Sequence, residues 1–383
     1  MAEKMKFIVN GKIVLPDGTV EGKALAYGEK VYGIVDPFGL PEGAEVVDAG
    51  GNYVSPGFID MHIHGYLGAD TSDGDPAGVR TMAEGVLKNG VTTFLPTTMT
   101  VSEAEINAAL DSVRSLKAES ESWNGARIAG VNLEGPYINP KKKGAQAEEH
   151  IKAPDAAFIK KNADIIRIVT IAPEMDENCA AIREITSDTN VRVSIGHTDA
   201  TYEQAIEGIE AGATHITHLF NAQTPLHHRK PGVVGAALKY PVSCELIADT
   251  FHVHPGLFGL VYAVKRDKLV LITDCTRAGG MPDGEYSLGG QKTFVKGIQC
   301  LLEDGTIAGS VLKLNAAVRN LRDHAGITVA EAVACATVNP AKALGIDGEC
   351  GSLEPGKRAD IIIFDENIEI KKAIIAGEVR YEN

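Results

Sequence analysis

The sequence predicts an α/β protein built as a (β/α)8, TIM-like barrel with a small β-sandwich beside it. Three observations lead there. Eight apolar, β-branched runs recur through the middle of the chain, separated by stretches of helical spacing, the rhythm of a parallel sheet. The two ends of the chain read as short strands and turns. Five of the eight central runs finish in a histidine, glutamate or aspartate, and the C-terminal strand ends are where such a barrel carries its chemistry.

The first run is YVSPGFIDMHIH (residues 53–64). VTTFLPTT (91–98), RIAGVNLE (127–134), IIRIVTIAP (165–173), RVSIGH (192–197), HITHLFNA (215–222), SCELIAD (243–249) and LVLITD (269–274) follow. Segments 76–89, 102–116 and 202–211 between them carry helix formers at helical spacing. Eight units in about 220 residues suit a barrel, with a doubly wound sheet as the competing arrangement. At the amino end, FIVNGKIVLPDG holds Asn10-Gly11 and Asp17-Gly18, both hairpin signals. At the carboxyl end, residues 351–382 alternate β-branched residues with the breaks EPG and DEN. Neither end has strands enough for its own core, so residues 1–54 and 350–383 are expected to pair into one small sandwich, with 55–349 forming the barrel.

Composition narrows the function. With 383 residues, 44% hydrophobic, 23% charged and 41 glycines, the chain matches soluble α/β proteins. No run of about 18 apolar residues appears, and the amino terminus lacks an uninterrupted apolar core of signal-peptide length, so a cytoplasmic protein with no membrane partner is expected. The six cysteines form no CxxC pair and are expected to stay reduced. A net charge of −14 with no basic stripe argues against nucleic acid, and an anionic substrate would need a local cationic pocket.

The chemistry sits at the run ends. His62 and His64 are two residues apart on a strand and so share a face. Glu134 and His197 end two further runs, and His218 ends the strand-like stretch ITH (216–218) that opens a third. A lone histidine or glutamate is commonly structural, but imidazoles and a carboxylate from four strand ends of one barrel point at one axis, and that set suits zinc, iron or manganese. Asp274 ends the eighth run, placed to take a proton from a water that a metal has acidified and to return it to a departing amine. His215 lies three residues before His218 and is expected to face away, in a structural role. Cys275 is expected to pack rather than react.

At these residues the chain resembles the N-acetylglucosamine-6-phosphate deacetylases of the amidohydrolase superfamily. The likeness runs nearly end to end, through PGFIDMHIHG (56–65), NLEGPYINPKKKGAQ (132–146), SIGHTDA (194–200), THLFNA (217–222), IADTFHV (247–253), ITDCTRAGG (272–280) and IAGS (307–310). Many amidohydrolases bridge two metals with a carboxylated lysine on the fourth strand. IIRIVTIAP has none, and Glu134 stands in for it, as is usual in this family. The resemblance implies a divalent metal, zinc first and iron or manganese next, held by Glu134, His197 and His218, with His62 and His64 able to complete a second position: one or two ions per subunit. It implies catalysis by Asp274 and substrate contacts at Ala145, Gln146, Asn221, Ala222, Asp249, His252, Ile307, Ala308 and Gly309. Arg229 matches an arginine that reaches the substrate phosphate of a neighbouring subunit, implying a homodimer, and Arg229 and His252 are the phosphate candidates because a guanidinium fork matches phosphate oxygens. Lys141, Lys142 and Lys143 are expected to be a solvated surface run.

The expected reaction is therefore metal-dependent hydrolysis of N-acetyl-D-glucosamine 6-phosphate to D-glucosamine 6-phosphate and acetate, in amino-sugar catabolism or cell-wall sugar recycling. The rivals are a deacetylase for the galactosamine epimer, a cyclic-amide hydrolase on the same fold, and a non-catalytic protein on the same scaffold. The last would be expected to have lost ligands or the base, and this chain keeps them.

Overall fold

A computed structural model describes residues 5–383. Met1 to Lys4, the start of the stretch read above for a signal peptide and of the expected 1–54 segment, lie outside it. The eight barrel strands are Phe58–Ile63, Val91–Thr98, Val131–Leu133, Ile166–Ile171, Arg192–Ile195, His215–Ile216, Ser243–Ile247 and Leu269–Ile272, paired in parallel in chain order. Helices follow them outside, among them Pro76–Leu87, Glu103–Lys117 and Tyr202–Glu210, close to the three segments expected. The latter two start at reciprocal caps, Ser102 with Glu105 and Thr201 with Gln204, each satisfying two orphan amides of a first helical turn.

Closure between the eighth and first strands is uneven, and this matters for the site. At the C-terminal end the two strands bond directly: the Asp274 amide donates to His62 O and the His64 amide to Cys275 O, each at 2.9 Å. Lower down, Cys335 and Ala336 intervene, their carbonyls accepting from the Leu271 and Ile59 amides at 2.8 Å. The direct seam lies where His62, His64 and Asp274 stand, so closing the barrel itself sets their spacing.

The terminal segments form two sheets. One orders strands Val31–Val35, Ala24–Tyr27, Lys6–Val9 and Glu45–Asp48. The other orders Glu378–Glu382, Ile370–Ile375, Ile361–Phe364, Tyr53–Pro56, Lys12–Leu15 and Gly18–Val20. Both chain ends thus share the six-stranded sheet, and the β-sandwich beside the barrel is observed. Alternation along Ile361–Phe364 shows how that sheet serves two cores: Ile361 and Ile363 pack with Ile8, Leu25 and Val54 inside the sandwich, whereas Ile362 and Phe364 pack into the barrel cluster.

Two local expectations are corrected. YVSPGFIDMHIH is two strands, because Tyr53–Pro56 belongs to the terminal sheet and Phe58–Ile63 to the barrel. The chain crosses at Gly57, where a Cβ would fall 2.1 Å from Thr92 Oγ1. Asp17-Gly18 does turn a hairpin, with Leu15 opposite Gly18, but Asn10-Gly11 does not. It carries the chain from one sheet of the sandwich to the other, since Lys6–Val9 and Lys12–Leu15 pair in different sheets. All six cysteines are buried and unpaired. Among the described residues no helix is long and apolar enough to cross a membrane.

Candidate active site and metal centre

Six side chains from five strand ends meet at the top of the barrel in two groups, His62 with His64 and Asp274, and Glu134 with His197 and His218. Within each group the ligand atoms lie within 4.8 Å of one another, and all six residues are buried. The Glu134 carboxylate joins the groups. Its Oε1 is 3.0 Å from His218 Nε2, 3.2 Å from His197 Nε2 and 3.3 Å from His62 Nε2, while Oε2 is 3.2 Å from His64 Nε2. Asp274 Oδ1 lies 3.2 Å from His64 Nε2 and 3.5 Å from His62 Nε2.

The backbone is bent to make this possible. His197, His218 and Asp274 have φ of 46°, 26° and 49°, a left-handed region that non-glycine residues enter at a cost of about 1–3 kcal/mol each and that clusters at functional sites. Each lies two positions beyond the last residue of its strand. The left-handed turn takes the side chain off the strand alternation and over the barrel mouth.

The donor chemistry fits a divalent cation. Three imidazoles are fixed from behind: His62 Nδ1 on Glu245 Oε2 at 2.9 Å, His197 Nδ1 on Lys142 O at 2.8 Å and His218 Nδ1 on Asn221 O at 3.1 Å. With Nδ1–H donating outwards, each neutral ring turns a lone pair on Nε2 inwards, the arrangement of a metal-ligating histidine. His197 Nε2 and His218 Nε2 lie 3.0 Å apart, and two lone pairs at that distance need a positive charge between them. Protons compete for that place. Burial lowers the His64 imidazole, but Asp274 and Glu134 against its Nε2 outweigh it and push it up to about 9. For His62 burial is outweighed by Glu245 and Glu134. Burial raises the Glu134 carboxyl, yet His62, His197 and His218 hold it well below the usual range. Asp274 behaves likewise, burial being overcome by His64 and His62.

A cavity of 360 Å³ opens above these groups, lined by His64, Glu134, His197, His218 and Asp274. Of the expected substrate contacts, Ala145, Gln146, Asn221, Ala222, His252, Ile307 and Gly309 line it. Both ends of the Gln146 amide are taken, Nε2 donating to Glu134 Oε2 at 2.7 Å and Oε1 accepting from the Thr100 amide at 2.6 Å, so its side chain steadies Glu134. Asp249 lies behind the wall, its Oδ2 accepting from His252 Nδ1 at 2.6 Å, and it orients His252. Ala308 is buried, with its amide on Cys300 O at 2.9 Å. Arg229 stands outside this chain's cavity, exposed, against His228.

Two expectations about neighbours change. Lys141 and Lys142 line the cavity, so the lysine run is only partly a solvated face. His215 does not turn away, because its strand is two residues long and the chain bends before His218. His215 Nε2 instead donates to Glu245 Oε1 at 3.2 Å beneath the metal candidates. Glu245 itself escaped the sequence reading, although a lone carboxylate within the apolar run SCELIAD is a signal, since glutamate is almost never fully buried unless paired. Cys275 packs as expected: it is buried, and burial pushes its thiol up.

A parallel barrel with imidazoles and acids converging at its C-terminal mouth is an arrangement suited to hydrolysis at a bound metal, and residues 53–380 match the Amidohydrolase family model; the chain belongs to that family. Within it, the chain is 40% identical over 348 residues to an N-acetylglucosamine-6-phosphate deacetylase of Bacillus subtilis, covering 89% of this chain and 88% of the relative. It is 36% identical over 373 residues to an N-acetylgalactosamine-6-phosphate deacetylase of Escherichia coli O157:H7, covering 96% and 97%. The crystal structure of the N-acetylglucosamine-6-phosphate deacetylase from Pasteurella multocida superimposes with a TM-score of 0.94 at 32% identity, covering 99% of this chain and all of that one.

Proposed function

We propose that this chain is an N-acetylglucosamine-6-phosphate deacetylase, hydrolysing its substrate to glucosamine 6-phosphate and acetate in amino-sugar catabolism. One observation carries the reading: Asp274 and four metal-type ligands, His64, Glu134, His197 and His218, line a single cavity with His62 buried against them, in a chain similar over most of its length to deacetylases of this name. A divalent metal, zinc first and iron or manganese next, would be held by Glu134, His197 and His218, with His62 and His64 completing a second position. When bound, it supplies the Lewis acidity that activates water and polarises the amide carbonyl.

The protein's own part is proton handling and orientation. Asp274 accepts one proton of the attacking water and returns it to the amide nitrogen as the C–N bond breaks, giving acetic acid and the free amine, which part as acetate and the protonated amine once the acid's own proton has moved to the nitrogen. Its backbone is clamped on both sides, the amide by His62 O and the carbonyl by the Ser310 amide at 2.8 Å, so the carboxylate holds its aim. His252, steadied by Asp249, lines the cavity, and Lys141 and Lys142 bring it positive charge in a chain of net −14, as a sugar phosphate requires. Arg229 from a second copy completes the phosphate clamp in a homodimer, and the enzyme works in the cytoplasm.

Acetate release tests this. The zinc-loaded protein is assayed with N-acetylglucosamine 6-phosphate, its galactosamine epimer, unphosphorylated N-acetylglucosamine and a cyclic amide. Highest kcat/KM on the first substrate is expected. The E. coli relative makes the epimer the serious competitor, and faster turnover of the epimer would reassign the substrate.

A further inference from the structure

Beneath the six site residues lies a carboxylate that the reaction does not use. Glu245, in the middle of the seventh barrel strand, is fully buried. It accepts three hydrogen bonds: His62 Nδ1–H at 2.9 Å and the His218 amide at 2.9 Å on Oε2, and His215 Nε2–H at 3.2 Å on Oε1. Its own carbonyl accepts from the Leu219 amide at 2.9 Å. One side chain therefore touches a member of each ligand group, the ring of His62 and the backbone of His218 where φ is 26°. The other imidazoles rest on backbone carbonyls, and His64 Nδ1 has no partner among the described residues. Among the described residues, His62 is the one of these four imidazoles whose Nδ1 is hydrogen-bonded to a carboxylate.

We propose that Glu245, oriented by His215, is a positioning residue that fixes the Nε2-ligating tautomer of His62 and so sustains metal affinity at the His62, His64 and Asp274 position. The inference rests on the metal site described above. Its physical basis is that a carboxylate behind a ligating imidazole fixes the ring and raises its basicity, and such partners typically contribute about 10- to 100-fold in metal affinity. The effect is directed. In Glu245→Gln the amide oxygen still reaches the Oε2 place, so the His218 amide keeps its acceptor and His215 can change tautomer to accept from the new NH2 group. What is lost is the charge behind His62. In Glu245→Asp the charge stays but withdraws by one methylene, out of reach of the ring.

Zinc binding to the full-length protein, by elemental analysis and calorimetric titration, tests this independently of turnover. The wild type is expected to take two equivalents per chain. Glu245→Gln is expected to weaken one equivalent about 10- to 100-fold and leave the other within a few-fold, at near-normal thermal stability; Glu245→Asp, which withdraws the shared Oε2 from the His218 amide as well, is expected to weaken both equivalents while the protein stays folded, and Glu245→Gln alone carries the test if the aspartate variant does not fold. Unchanged zinc constants in Glu245→Gln overturn the proposal. So does parallel loss of both equivalents together with the fold, which is a purely structural role, and so does a wild type that holds a single zinc. A wild type that holds two zinc ions but releases no acetate removes the deacetylase reading and leaves this one standing.

Discussion

In the proposed reaction Asp274 has to gain and then lose a proton within one turnover, and its carboxylate reaches His64 and His62. Asp274→Asn keeps the shape and removes the basicity, so turnover is expected to fall at least about a hundredfold, with the zinc of Glu134, His197 and His218 retained. Near-normal turnover would take Asp274 out of the reaction. His64 allows a pH experiment on the chelated protein. Its imidazole is raised to about 9 in the fold against about 6.5 unfolded, so folding binds the proton more tightly. The stability this gives is present in full below pH 6.5 and is lost as pH climbs through 9. The same proton must leave before zinc binds. Denaturant midpoints of the metal-free protein and zinc affinities should therefore move in opposite directions between pH 6 and pH 9, and zinc affinity that is flat over that range would contradict the assignment. These residues were legible because they end apolar runs. Glu245 and His215 were not, because their role depends on which residues meet across the sixth and seventh strands, a fact of three dimensions.

Barrel strands were readable as elements because a parallel strand is buried on both faces and shows as a continuous apolar run; VTTFLPTT, for instance, is buried at every position. What could not be read was where a run changes partner. YVSPGFIDMHIH reads as one β-like run across the crossing at Gly57, and Asn10-Gly11 looks locally like any hairpin although its flanks enter different sheets. The fifth strand offers a test at this scale. Gly196 lies between the end of that strand and His197, and a Cβ there would sit 2.5 Å from Thr217 Cβ and 2.9 Å from Thr170 Cγ2. Neither neighbour can yield easily, since Thr217 Oγ1 is bonded to Ser194 at 2.6 Å and Thr170 at 3.0 Å. Gly196→Ala is expected to cost about 1–3 kcal/mol of stability and to lower zinc content by shifting His197. A variant with wild-type midpoint and zinc content would show that this strand end is not what positions the ligand.

At the scale of the whole molecule the problem is charge. A chain of net −14 repels a sugar phosphate at long range, so binding has to rely on cations close to the cavity. This chain brings the cations Lys141 and Lys142 to the cavity lining, while Arg229 projects to solvent from the loop that also supplies Asn221 and Ala222. An arginine held outward beside its own cavity makes sense if it serves the cavity of a second copy. On that geometry Arg229→Ala should mainly impair substrates bearing the phosphate, raising KM for the 6-phosphate far more than for unphosphorylated N-acetylglucosamine. A mixing experiment decides whose arginine acts. Asp274→Asn subunits lack the base but present Arg229, and Arg229→Ala subunits lack the arginine but keep the base. If Arg229 crosses the interface, a mixed dimer has one site with Asp274 from one copy and Arg229 from the other. Dissociating the two variants, mixing them and reassembling them should then give acetate release well above that of either parent. Activity equal to the average of the parents would mean that Arg229 serves its own chain, or that no such dimer forms, and sedimentation of the same sample separates those two outcomes.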